Sequence, residues 1–267
     1  MTVRLVTDPA EWRQVLDAER EGGRTVGLVP TMGALHGGHL SLLRAAAAQR
    51  DVVAMTDYVN PLQFGPGEDL AAYPRDLERD CQVAAGVGAD LVFAPDPQDM
   101  FPVPPATTVH PEGPALPLEG TWRPGHFDGV ATIVTKLLAL SGPCWAYFGE
   151  KDWQQLVVVR RLVEDLSLPA GVVACPVVRE SDGLALSSRN AYLTAPQREA
   201  APTLYYALLA GRRAVEEGEE DPAAVRRAMA DTLGRQPLFR PDYLEVADPE
   251  TLLVPSRLAG DLRLLGA

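Results

Sequence analysis

Thr25-Val26-Gly27-Leu28-Val29, running into Pro30-Thr31-Met32-Gly33-Ala34-Leu35-His36-Gly37-Gly38-His39, is the stretch on which the fold turns. Thr25 to Val29 reads as a short buried strand, and Leu40, Leu43, Ala46 and Ala47 form the apolar side of a following helix. Two of the chain's four histidines therefore stand at a helix N-terminus after a glycine-rich turn. Unpaired N–H groups and a dipole end worth about half an elementary charge favour a phosphate there and disfavour a cation. A two-histidine zinc site also lacks Cys, Asp or Glu at ligand spacing. Such turns occur as plain structure too, so the rest of the chain must decide.

Working outward, strand and helix alternate. Asp8-Pro9 opens a helix carrying Trp12, Val15 and Leu16, with proline in the first turn where a missing N–H costs little. Val52 to Val59 is an apolar strand. A proline- and glycine-rich loop runs to Pro74, a helix continues to about Val87, and Leu91 to Ala94 is the next strand. A second cycle gives a helix over 128–140, a strand over 145–148, a helix over 153–166 and a strand over 172–178. This is βαβ logic: an α/β protein with a Rossmann-like parallel sheet and helices on both faces, assigned to residues 1–175. Beyond it, Thr194 and Gln197 form a capping box for a helix containing Leu204, Leu208 and Leu209. Asp221-Pro222 starts another helix that Gly234 ends, and Tyr243 to Val246 reads as a strand. Residues 176–267 are thus expected to form a smaller C-terminal α+β domain.

Composition narrows the function. The 267 residues are 46% hydrophobic, enough for a substantial core. A formal net charge of -12 excludes a broad nucleic-acid-binding face. Cys81, Cys144 and Cys175 are widely spaced with no Cys-x-x-Cys, which supports neither a disulfide framework nor structural zinc. With no apolar leader and no run of about eighteen apolar residues, a cytoplasmic protein without membrane partners is expected.

Ligands of such sheets bind beyond the carboxyl ends of the strands. Thr31 to His39, Asn60 to Phe64 and Gly149 to Asp152 each follow an expected strand, so all three should open onto one cleft. In Gly149-Glu150-Lys151-Asp152 the lysine suits a phosphate, although Asp152 with Gln155 could equally be a simple helix cap. Asp182 to Asn190 sets Ser187, Ser188 and Arg189 in a row, adjustable hydroxyls beside a planar guanidinium. Asn60-Pro61-Leu62-Gln63-Phe64-Gly65 offers carboxamides suited to hydroxyl and carboxylate groups, and also reads as an Asn-Pro turn. Arg123-Pro124-Gly125-His126-Phe127 either orients or anchors a loop. Walker-type, dinucleotide-binding and Gly-x-Ser-x-Gly signatures are absent.

These five segments, in this order and spacing, closely resemble the pantothenate synthetase family from the first helix to about Leu252. The His-x-Gly-His element alone is shared by many nucleotidyltransferases and class I aminoacyl-tRNA synthetases. The resemblance implies ATP-dependent condensation of pantoate with β-alanine through a pantoyl adenylate, releasing AMP and pyrophosphate. Another nucleotidyltransferase of the same superfamily, acting on a small acid or phosphate, is the alternative. By similarity, ATP would be held by Met32, Gly33, Ala34, Leu35, His36, Gly37, Gly38 and His39, by Gly149, Glu150, Lys151 and Asp152, and by Val178, Leu186, Ser187, Ser188 and Arg189. His39 would be the proton donor, assisted by His36, Lys151, Ser187, Ser188 and Arg189. Gln63 and Gln155, with Asn60 and Arg123, would hold pantoate. Mg2+ would accompany the phosphates with no protein ligands assigned. Residues 176–267 would be a lid, and the enzyme a homodimer. Family members usually end in a longer strand segment with an Arg-Leu-(Ile/Leu)-Asp-Asn tail; this chain ends Arg263-Leu264-Leu265-Gly266-Ala267, which leaves the last strand open.

Overall fold

The structure, a computed structural model, describes residues 2–101 and 105–267. Its contacts divide the chain into two units, Met1–Pro111 with Arg123–Val177 and Glu112–Trp122 with Val178–Ala267. The expected boundary near residue 175 compares with a division at Val177, and the second unit also takes the short segment 112–122.

In chain order the first unit contains β1 (Arg4–Val6), α1 (Pro9–Glu21), β2 (Val26–Thr31), α2 (Gly37–Ala47), β3 (Val52–Asp57), α3 (Leu77–Ala85), β4 (Leu91–Phe93) and α4 (Pro97–Met100). After α5 (Glu119–Trp122), which belongs to the second unit, come α6 (His126–Ser141), β5 (Cys144–Gly149), α7 (Trp153–Asp165) and β6 (Ala170–Cys175). The six strands form one parallel sheet in the order β1-β4-β3-β2-β5-β6. The chain builds outward from β2 on one side and then returns to lay β5 against its other edge. That reversal is the topological switch point, where a crevice opens beyond the strand ends. The segments after β2 and β5 therefore meet there.

The central strands are near-continuous apolar runs because both faces are covered. Val29, Leu43, Ala46, Met55, Val92 and Tyr147 make the core between the sheet and α2. On α1, Asp8 caps the helix by accepting from Glu11 N at 2.7 Å. The fully buried Trp12 stacks on Phe93 and donates its indole N–H to Ser141 Oγ at 3.1 Å.

Three features differ from the sequence reading. β1 has no counterpart in it, because an edge strand with one buried residue in three carries little pattern. β6 stops at Cys175 rather than 178, since Pro176 has no N–H to give a ladder. The expected helix after Thr194 is two: the Thr194–Gln197 capping box opens α8 (Ala195–Ala200), and Pro202, which has no N–H to bond back, separates it from α9 (Thr203–Glu216).

The second unit continues with α10 (Pro222–Leu233), β7 (Leu244–Ala247) and β8 (Arg263–Gly266). Ala207, Val225, Met229, Leu233 and Val246 form its core. Arg263–Gly266 does form a strand, with Leu264 opposite Val246 and Gly266 opposite Leu244 in antiparallel register.

Candidate active site

At the end of β2, Thr31 Oγ1 donates to Thr56 O at 2.6 Å and accepts from Gly33 N at 3.1 Å. The chain then turns through two left-handed residues, Gly33 (φ 74°) and Ala34 (φ 50°). A side chain at Gly33 would run into the Asp57 carboxylate, so the close approach requires glycine. The amides of Ala34 and Leu35 donate to the two oxygens of Asp80 at 2.6 and 2.8 Å.

The helix start itself is capped by imidazoles. His36, extended at φ -129°, is the N-cap of α2, and its Nδ1 accepts from Gly38 N at 3.1 Å. His39 Nδ1 accepts in return from His36 N at 3.4 Å, and the ring centroids lie 4.1 Å apart. This is a reciprocal capping box in which histidine replaces the usual hydroxyl and carboxylate. A nitrogen that accepts from an amide carries no proton, so each neutral ring must bear its hydrogen on Nε2. Burial, and then the charge of its ring neighbour His36, push the His39 pKa down to about 3. Burial and then Lys151 lower that of His36. Two neutral Nε2–H donors result. The expectation of free first-turn amides changes accordingly: Gly38 N is taken by His36, His36 N by His39, and Ala34 N and Leu35 N by Asp80.

Lys151 follows β5 in the turn Glu150–Asp152, and its Nζ lies 3.0 Å from Asp152 Oδ1. Its ammonium lowers both histidine pKa values, which places it in the field of the rings. Asp152 is the N-cap residue of α7 but makes no side-chain cap bond, so the simple helix-cap reading fails locally. On α7, Gln154 is buried, whereas Gln155 is half-buried and its carboxamide has no hydrogen-bond partner among the described residues.

After β3, Asn60 is buried. It caps a short turn by accepting from Leu62 N at 3.3 Å and donates from Nδ2 to Gln63 Oε1 at 3.0 Å and Gly129 O at 3.1 Å. Gln63 Nε2 points to Met32 Sδ at 3.2 Å, which joins this segment to the histidine loop. Gln63 O is held by His126 Nδ1 at 2.8 Å and by Arg123 Nη2 at 3.3 Å. Donating from Nδ1 leaves His126 Nε2 as the acceptor for Arg123 Nη1 at 3.3 Å. Arg123 in turn grips Glu68 with two bonds, 2.8 and 2.5 Å, and this pairing holds the Glu68 pKa below its usual value. Asn60 and Arg123, expected as substrate contacts, each bond Gln63, Asn60 at its carboxamide oxygen and Arg123 at its backbone carbonyl.

Gly129 allows this packing, because a Cβ there would overlap the Leu62 carbonyl and crowd Gln63 N. Gly129→Ala is expected to lower stability by about 1–3 kcal/mol in urea unfolding and to displace Gln63. An unchanged midpoint would show that the loop yields freely.

In the second unit, Val178 O accepts from Leu186 N at 3.0 Å, and Ser187 Oγ accepts from Arg189 N at 3.3 Å as the cap of the turn Ser188–Tyr192. Arg198 anchors the base of this loop on Asp182 (2.7 Å) and Glu180 (2.6 Å). Val178, Leu186, Ser187, Ser188 and Arg189 thus belong to one braced loop. Among the described residues, no group of three or more His, Cys, Asp or Glu could hold a metal. The nitrogen donors around His36, His39 and Lys151 suit anions rather than Mg2+.

Sequence reading missed Asp57, Glu68 and Asp80. For Asp80 a signal existed: it lies three residues after Leu77 and four before Ala84, an acid on the apolar stripe of α3. Asp57 has its pKa raised to about 6 by burial and by the Asp80 charge. The folded chain therefore keeps a proton that the unfolded chain releases above about pH 4, and this stabilisation is lost as pH rises through 6. Asp57→Asn is expected to raise stability at pH 7.5 by roughly 1–2 kcal/mol after solvent screening, and to change little at pH 4. Equal gains at both pH values, in paired urea titrations, would refute the coupling.

The Pantoate-beta-alanine ligase family matches residues 4–267. A pantothenate synthetase of Moorella thermoacetica is 50% identical over 262 residues, 98% of this chain and 93% of that protein. The crystal structure of pantothenate synthetase from Thermus thermophilus superposes with a TM-score of 0.93 at 50% identity, covering 99% of this chain and 95% of the other. A pantoate-beta-alanine ligase from Francisella tularensis, solved with beta-gamma ATP and beta-alanine, gives a TM-score of 0.77 at 32% identity over 91% of this chain and 89% of that one.

Proposed function

The chain belongs to the pantoate–β-alanine ligase family, which makes it an ATP-dependent ligase joining pantoate to β-alanine, and from that premise we propose that the crevice at the switch point forms and uses a pantoyl adenylate. The observation that carries this reading is the imidazole capping box, which presents two neutral Nε2–H donors beside Lys151.

In the first step a pantoate carboxylate oxygen attacks the α-phosphorus of ATP in line. A new P–O bond forms, and the bond to the β-phosphate bridging oxygen breaks to release pyrophosphate. The protein's task is positioning and charge stabilisation. Nε2–H of His36 and His39 and the Lys151 ammonium donate to phosphate oxygens as charge shifts onto them. Because these donors are fixed before ATP arrives, little reorganisation is needed at the moment of reaction. Met32 to Leu35, Gly37, Gly38 and Gly149 to Asp152 border the nucleotide. The second-unit residues Val178, Leu186, Ser187, Ser188 and Arg189 are assigned to ATP on the chemistry of their donors.

Gln155, whose carboxamide has no partner among the described residues, and Gln63 are assigned to the hydroxyl and carboxylate oxygens of pantoate. Asn60 and Arg123 act through Gln63, by fixing its side chain and backbone carbonyl respectively. In the second step the β-alanine amine attacks the pantoyl carbonyl; the C–N bond forms, the C–O bond to AMP breaks and the ammonium proton is lost. Mg2+ would enter with ATP as the counterion of its phosphates. A homodimer and a cytoplasmic location complete the proposal. No helix among the described residues is long and apolar enough to cross a membrane.

The test is pyrophosphate release from ATP with pantoate, with and without β-alanine. Pantoate should give one enzyme equivalent rapidly, and β-alanine should convert this burst to turnover. No stimulation by pantoate would sink the adenylate reading.

A further inference from the structure

We infer that Asp80 is a positioning residue for ATP: its carboxylate clamps the amides of Ala34 and Leu35 and so sets the direction in which His36 and His39 face the phosphates. The inference rests on the reading of these histidines as ATP donors.

Asp80 is fully buried. Each of its oxygens is committed to one of two successive amides, at 2.6 and 2.8 Å, and the second amide immediately precedes His36. The clamp holds Ala34 at φ 50°, a conformation that a residue with a Cβ rarely adopts without support. Arg79 joins from outside, with Nη1 3.7 Å from Asp80 Oδ1 and 3.4 Å from Leu35 O. Asp57 abuts Gly33. Residues 34 and 35 are therefore held by Asp80, and the Asp57 carboxylate leaves no room for a side chain at Gly33.

Negative charge behind an anion-binding loop opposes ATP binding, so charge is not what these carboxylates contribute. What Asp80 supplies is geometry. A carboxylate has two acceptor oxygens at the spacing of successive amides, and no neutral side chain of similar size has two. By taking the amides of 34 and 35, it also prevents them from competing with the imidazoles for phosphate.

Asp80→Asn keeps the shape but offers one acceptor and sets an NH2 against the other amide. Its affinity for the β,γ-imido analogue of ATP, measured by calorimetry, is expected to fall roughly tenfold or more, while pantoate affinity stays within about twofold because Gln63 and Gln155 are untouched. Histidine NMR gives a readout independent of turnover. His39 should not titrate between pH 5 and 8 in the parent enzyme, and should do so in Asp80→Asn once the loop releases it. Adding Ala34→Gly, which removes the Cβ cost of the left-handed residue, should recover part of the lost ATP affinity. Parent-like nucleotide affinity and histidine titration in Asp80→Asn would overturn the proposal. Equal loss of both ligands with a lowered melting temperature and no rescue by Ala34→Gly would also overturn it, in favour of a purely structural role. If the parent enzyme itself fails to bind the nucleotide, the ATP assignment falls, while the histidine titration still decides whether Asp80 holds the loop.

Discussion

His39→Gln is expected to slow adenylate formation by ~10²- to 10³-fold while leaving the fold intact. Glutamine at this third helical position is the ordinary partner in a capping box, and its Oε1 can still accept from the His36 amide. The substitution thus separates the two jobs of His39. Helix capping survives, but the Nε2–H proposed as the donor to the phosphates is gone. His39→Ala removes both, and should add a loss of stability of about 1 kcal/mol to the same loss of rate. Rapid-quench measurement of pantoyl adenylate in a single turnover, alongside urea unfolding, distinguishes them. If His39→Gln forms adenylate at the parental rate, the imidazole has no part in the chemistry and only the cap matters. The low pKa of this ring adds a second check: in the free enzyme its protonation cannot cause a loss of activity between pH 5 and 8.

Lys151→Ala is expected to cost a similar ~10²- to 10³-fold, read as a fall in single-turnover rate accompanied by a higher KM for ATP. A lysine about 4 Å from a phosphate oxygen at an effective dielectric near 20 is worth on the order of 4 kcal/mol before desolvation. The residue is partly exposed and paired with Asp152, so part of this gain is offset by breaking that pair. A further result should follow from electrostatics alone. Lys151 lowers the pKa of both rings, so its removal should move the His36 titration upward in the free enzyme. A variant with normal adenylation but a shifted His36 would confine Lys151 to tuning the histidines. Normal rate with no shift would remove it from the site.

Much of the frame is legible because each crossover unit repeats two strong signals. Val52 to Asp57 and Cys144 to Gly149 are apolar runs of strand length, and Asp8 and Asp221 announce helix starts with proline in the first turn. What escapes is structure made by few residues or by single covalent facts. β1 exists because Arg4 to Val6 find an open edge of β4, a tertiary event with little local pattern. Pro176 and Pro202 cut β6 and the helix after Thr194 by withholding one N–H each, and periodicity does not register that.

The site is legible as a set of segments but not as a division of labour. Asn60, Gln63, Arg123 and His126 look alike as polar loop residues. Only the bonds show that Asn60, Arg123 and His126 converge on Gln63, and that Glu68 completes the chain from the far side. Asp80 is hidden for another reason. Its partners are backbone amides, and backbone partners leave no trace in residue types.

The imidazole caps of α2 carry one more consequence. In most helices protonation and folding are separate events, because a serine or aspartate cap accepts its amide across the whole physiological range. Here, adding a proton at Nδ1 of His36 or His39 abolishes an acceptor and leaves an N–H facing an N–H. The first turn of α2 is therefore an acid fuse. When acid overcomes burial at these rings, the helix should fray from Gly37 before the sheet opens, and the enzyme should lose its grip on nucleotide while still folded.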